Sequence, residues 1–127
     1  MEALQMNLLE YLHIKTVKTS KQQVVLSLEV DKIHKQPYGL LHGGINAVLA
    51  ETAASMLANL NAPAGFVAVG VNINTNHLSA VKAGRIETIA EPIKIGTKIQ
   101  VLAVTTISYP EKIKTSYSTV TTTFLKE

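Results

Sequence analysis

Between Ile45 and Leu60 one residue carries a charge, Glu51. The surrounding Val48, Leu49, Ala50, Ala53, Ala54, Met56 and Leu57 make this the only long helical pattern in the chain, running roughly from His42 to Leu60. A helix apolar on most of its circumference has to be covered on several sides. The strand-like segments around it must therefore wrap it. The apolar stripe is expected along Ile45, Val48, Leu49, Thr52, Met56 and Leu60. Glu51 and Ser55, four residues apart, share a small-residue face with Ala47, Ala54 and Ala58 nearby.

Before the helix, residues 2–11 repeat Leu4, Leu8 and Tyr11 at helical spacing, a short helix suited to covering the core. Residues 13–31 read as strands, with Val24, Leu26, Leu28 and Val30 alternating against Val25, Ser27, Glu29 and Asp31. After it, Asn61 to Gly65 break the pattern, and strands follow over Phe66–Leu78, Arg85–Ile93, Ile99–Ile107 and Lys114–Leu125. Short turns join these last strands, which predicts an antiparallel meander. One helix beside such a sheet is a two-layer α+β domain. Gly70, inside a β-branched run, marks a bulge or a close backbone approach. With 127 residues and no linker or repeat, residues 1–127 form a single domain.

A lone carboxylate on an apolar helix is costly if it is buried without a partner, so it asks for a purpose. Gly43 and Gly44 stand at the helix start, where N–H groups have no intrahelical acceptor and the dipole is positive. Such donors suit a developing oxyanion. Donors at the start and an acid two turns later fit acyl transfer, and apolar surroundings would make that acid a stronger base. The alternative is a glycine-rich cap on a core helix whose Glu reaches solvent or a partner subunit. Gln36, just ahead of the helix, places an amide where it can donate to a carbonyl oxygen.

Other chemistries find little support. The chain has no cysteine, which removes disulfides, Cys-ligated zinc and Cys nucleophiles and fits a cytoplasmic protein. His13, His34, His42 and His77 show no ligand pairing, so no metal is expected. No Gly-x-Ser-x-Gly elbow is present. The formal charge is +3, but the lysines are scattered and aromatics make up 5%, so a small anionic ligand fits better than nucleic acid. The N-terminus lacks a signal-peptide pattern and no run is long enough to span a membrane, so a soluble protein without membrane attachment is expected.

Lys35-Gln36-Pro37-Tyr38-Gly39-Leu40-Leu41-His42-Gly43-Gly44, followed by Leu49-Ala50-Glu51 and Ser55, closely resembles the hotdog-fold acyl-CoA thioesterases. The likeness is to the 4-hydroxybenzoyl-CoA and 1,4-dihydroxy-2-naphthoyl-CoA group, close to the phenylacetate-pathway enzymes. Asn74 to Leu78, Gly84 and Gly96-Thr97 extend it over roughly residues 20–125.

The resemblance implies a hotdog fold and roles for particular residues. Glu51 would attack the thioester or activate water, and the Gly43 N–H would hold the oxyanion. Gln36 would polarise the thioester, His42 would orient the site, and Ser55 would help hold the water. It further places Gly70, His77, Leu78, Ser79 and Ala80 near coenzyme A, and Lys94, Gly96, Thr97 and Lys98 near its nucleotide or phosphates. Relatives carry Arg just after the Asn-His pair; here Ser79 and Ala80 stand there, which shifts phosphate recognition to Lys82 or Lys98.

The implied partners are an acyl-CoA substrate and further copies of the chain, as a dimer or a dimer of dimers with sites between subunits. No cofactor is implied, since coenzyme A is part of the substrate. An aromatic acyl group, with a role in menaquinone synthesis, leads the expectations. Medium-chain or phenylacetyl-type esters and a non-catalytic acyl-CoA-binding module are the alternatives. Met56, Phe66 and the N-terminal helix are the candidates to line the acyl pocket.

Overall fold

In the computed structural model, which describes residues 6–127, the long helix α2 spans Gly43–Leu60. A short helix α1 over Leu8–Tyr11 precedes it, capped by Asn7 and Glu10, each accepting from the other's backbone N–H. The portion of the expected first helix over residues 2–5 lies outside the described residues. The strands are β1 (Lys15–Thr19), β2 (Val24–Val30), β3 (Phe66–His77), β4 (Gly84–Ile95), β5 (Ile99–Tyr109) and β6 (Ile113–Lys126).

All six form one antiparallel sheet in the order β1-β2-β4-β5-β6-β3. The expected meander is therefore correct only for β4-β5-β6. β3 pairs with β6 at the far edge, and β2 takes the place beside β4. Residues 78–83 carry the chain from β3 to β4. They must cross three strand spacings, about 14 Å. Six extended residues reach about 20 Å, so the crossing is open to them and a tight hairpin is not needed.

The sheet packs against α2 along Leu49, Ala50, Ala53, Ala54, Leu57 and Ala58, all buried. This is a different stripe from the one expected. Ile45 and Met56 only border the core, Leu60 is exposed, and Ala54 and Ala58 face the sheet instead of flanking Glu51. The reason is steric. Alanines let the backbone of α2 come close to a sheet whose inward residues, Val24, Leu26, Leu28, Ile86, Leu102, Val104 and Val120, supply the bulk. Gln100 is fully buried in this layer, and its Nε2 donates to the Ala58 carbonyl at 3.0 Å. At the end of α2, Asn59 accepts from Ala68 N at 2.9 Å and donates to Ala68 O at 3.1 Å, pinning the helix to β3.

Leu57 sits at the centre of this contact with no exposure. Leu57→Ala should cost about 2–5 kcal/mol. A shift of the urea midpoint at constant m-value measures it; an unchanged midpoint would mean α2 is not the keystone of the core.

Candidate active site

The start of α2 and the end of β3 meet through a glycine. A Cβ on Gly43 would fall 2.9 Å from His77 Cε1 and 3.0 Å from His77 Nε2. The imidazole thus occupies the space a side chain would take. The ring's Nδ1, 3.5 Å from that same position, lies 3.2 Å from the Asn46 amide nitrogen. Asn46, one turn into α2, is 4% exposed.

Around this contact is a cleft of about 380 Å³, lined by Gln36, Leu40, Leu41, Gly43, Asn46 and residues 77–81. The Gln36 carbonyl accepts from Tyr38 N at 2.5 Å and more weakly from Leu40 N at 3.4 Å. Its oxygen is thus spent on shaping the loop, and its NH₂ is left to donate. Leu41 N donates to Val81 O at 2.7 Å, closing the cleft floor. His42 is the N-cap of α2, with Gly44 N donating to its Nδ1 at 2.7 Å, so a neutral His42 carries its proton on Nε2. The N–H of Gly43, the first helical residue, has no acceptor among the described residues. Two free donors, one backbone and one amide, thus open onto one cleft.

Glu51 lies two turns further along α2, about 12 Å down the axis. It is exposed in the single chain, so its own helix does not provide the expected desolvation. Its carboxylate rests on β3: a Cβ on Gly70 would come 3.1 Å from Oε2. There the β3–β6 register slips between Gly70 and Asn72, so the sequence's bulge and its close approach both occur at one place. Ser55 is half-buried one turn on.

The sequence-derived residues therefore fall into three groups. Gln36, Gly43, His77, Leu78, Ser79 and Ala80 share the cleft, with His42 capping the helix beside it and Lys82 next to its Val81 wall. Glu51, Ser55 and Gly70 form a second cluster on the α2–β3 flank. Gly96, Thr97 and Lys98 form the β4–β5 turn and Lys94 stands beside it near the end of β4, at the end of the sheet away from His77. Gln100 and Thr106 mark the two ends, and the six-residue separation between them is roughly 20 Å of strand. Met56 lines a separate shallow hollow with Thr19, Asn59 and Leu60, and Phe66 is 40% exposed at the start of β3. α1 borders another groove with His13, Glu29 and Arg85.

Asn46 escaped the sequence reading. It was legible as a polar residue on the stripe it shares with Leu49, Ala50, Ala53 and Leu57. His34 is a structural histidine, buried, accepting from Asp31 N at 2.9 Å and donating from Nε2 to Leu12 O at 2.7 Å.

The thioesterase superfamily model matches residues 38–112. A 1,4-dihydroxy-2-naphthoyl-CoA hydrolase of Listeria monocytogenes is 40% identical over 109 residues, covering 85% of this chain and 88% of the relative. The Escherichia coli enzyme of the same name is 34% identical over 95 residues, 75% of this chain and 70% of its own. The crystal structure of a Haemophilus influenzae thioesterase superposes with a TM-score of 0.88 at 31% identity, covering 93% of this chain and 82% of that one. The chain belongs to the thioesterase superfamily, with the hotdog fold, and it is a thioester hydrolase.

Gly70 has no left-handed backbone angle, so alanine is conformationally acceptable there. Its methyl would nevertheless push the Glu51 carboxylate aside. If Glu51 is the reacting group, Gly70→Ala should keep the urea midpoint and lower kcat about tenfold or more, since misplacing such a group by ångströms is expensive. Unchanged kcat in a folded variant would show that this contact does not set the carboxylate's position.

Proposed function

We propose that the protein hydrolyses an aromatic acyl-CoA of the 1,4-dihydroxy-2-naphthoyl type to the free acid and coenzyme A, with Glu51 as the reacting carboxylate. The observation that carries this is the pairing of free donors at the start of α2 with a carboxylate on the same helix, lodged against a glycine of β3. The names of the Listeria and Escherichia relatives support the acyl group.

Hydrolysis adds water across the carbonyl–sulfur bond. The new C–O bond forms at the carbonyl carbon, and the carbonyl oxygen takes up negative charge beside the Gly43 N–H and the Gln36 amide. Collapse of this intermediate breaks the C–S bond. The proton removed from water by Glu51 neutralises the departing thiolate, and water is the only co-reactant. A covalent route, in which Glu51 itself attacks and water then cleaves the anhydride, has the same balance. Single-turnover reaction in ¹⁸O-water separates the two, because only the covalent route leaves the first oxygen in the product from Glu51.

Glu51 and the cleft stand too far apart along α2 to act on one carbonyl within a single chain. β3 supplies the remedy. It is a 12-residue edge strand with no partner on its outer side among the described residues. Long free edges invite pairing. An antiparallel β3–β3 join with its two-fold between Ile73 and Asn74 sets Gly70 of one copy opposite His77 of the other. Glu51, resting on Gly70, then faces the second copy's cleft, and the interface covers the carboxylate. The working unit is a dimer, and the Lys94–Lys98 turn is offered to coenzyme A from the assembly, which in turn pairs as a dimer of dimers.

Thiol release from a panel of acyl-CoAs tests the reading. Glu51→Ala should lose roughly 10²–10⁴-fold in kcat while remaining folded. Mixing Glu51→Ala with Gln36→Ala chains should restore about a quarter of full activity, because half the dimers become hybrids with one intact site. No recovery on mixing would place both residues of a site in one chain, and near wild-type activity of Glu51→Ala would remove the carboxylate from the mechanism.

A further inference from the structure

Asn46 is buried, and among the described residues its only side-chain hydrogen-bond partner is His77. Its Oδ1 is enclosed and has no partner among the described residues. An amide held in the core at that cost has to serve the group it touches. We infer that Asn46 is a positioning residue that fixes the His77 tautomer: the amide N–H donates to Nδ1, so the ring's proton is on Nε2. This rests on the acyl-CoA hydrolase reading for its consequence, but not for its geometry.

The ring has little freedom to do otherwise. The ring packs against Gly43, with Cε1 and Nε2 in the space beside that glycine. Nδ1 is turned to Asn46. A proton on Nδ1 would confront the amide's own hydrogens. Turning the amide over would exchange one enclosed carbonyl oxygen for two enclosed N–H hydrogens, and orphan carbonyls are the better tolerated of the two. His42 and His34 hold the same Nδ1-acceptor form, each through a backbone N–H. For His77 the donor comes from a side chain, so substitution can change it.

The outcome is a third donor at the cleft. His77 is exposed on the cleft side, and its Nε2 lies next to Gly43, whose own N–H is free. With the Gln36 amide, these donors suit a ligand presenting carbonyl oxygens, which the thioester and the amide-linked arm of an acyl-CoA both do. Asn46 thus acts on the substrate only through the proton it places on His77.

Long-range ¹H–¹⁵N spectra of histidine-labelled protein read this without substrate. Wild type should show Nδ1 bare and Nε2 protonated for His77; a proton on Nδ1 overturns the proposal. Asn46→Asp, equal in size but an acceptor at both oxygens, should move the proton to Nδ1. It should also cut kcat/KM about tenfold, with His77→Ala adding little in that background. Asn46→Ser, shorter and still able to donate, should regain the wild-type tautomer more fully than Asn46→Ala. A tautomer indifferent to all three replacements also overturns it. If no acyl-CoA is cleaved, the spectra still decide the tautomer, and only the hydrolase reading falls.

Discussion

The His77 ring stands where a side chain on residue 43 would be, and much of the molecule depends on that exchange of volume. It joins the last residue of β3 to the first residue of α2, two points separated by a helix, a turn and a whole strand. Any side chain at position 43 would collide with the His77 ring and force it to move. The ring would leave Asn46 and the cleft wall, beside the 78–81 segment that donates from Leu78 and Ser79 to the Thr115 carbonyl at 2.8 and 3.2 Å. A packing contact therefore defines where the free backbone donor of Gly43 points and what surrounds it.

The same economy of volume runs along α2. Ala50, Ala53, Ala54 and Ala58 are essentially without exposure, so the helix comes close to the sheet along its whole length. That closeness brings Glu51 against Gly70, where again a missing side chain makes the contact possible. Two glycines on different elements and a run of alanines thus do related things. They bring backbone near functional groups, and they leave the bulky residues on the strands. A helix with leucines in place of these alanines would be as apolar, but it would hold the sheet several ångströms further out.

The sequence was most legible where local chemistry speaks. The bounds of α2, the bulge at Gly70 and the α+β class follow from periodicity and from glycine's conformational range. Strand order was not, because β3 looks like any other strand until its neighbour is known, and pairing is a long-range choice. The buried stripe of α2 was misjudged for a related reason. Large residues such as Ile45, Met56 and Leu60 seemed the natural core, yet the small ones lie there because the strands bring the volume. Of the candidate site, residue chemistry pointed to Gln36, Gly43 and Glu51 and the family resemblance added His77, whereas Asn46 belongs to no motif. Its part emerges only once β3 and α2 are seen together.

The separation of Glu51 from the cleft is itself informative about assembly. A charged carboxylate in water is held weakly, and a donor pair open to water stabilises little, because solvent competes for both. Each half of this chemistry gains strength only when something covers it. In the proposed dimer a second copy laid along β3 would cover both at once, since the strand that rests under Glu51 at Gly70 ends at the cleft with His77. The distance of half a strand between them is the offset a two-fold axis needs to exchange the two halves. The exposed acid and the unpaired edge, each a liability for an isolated chain, are on this reading one feature.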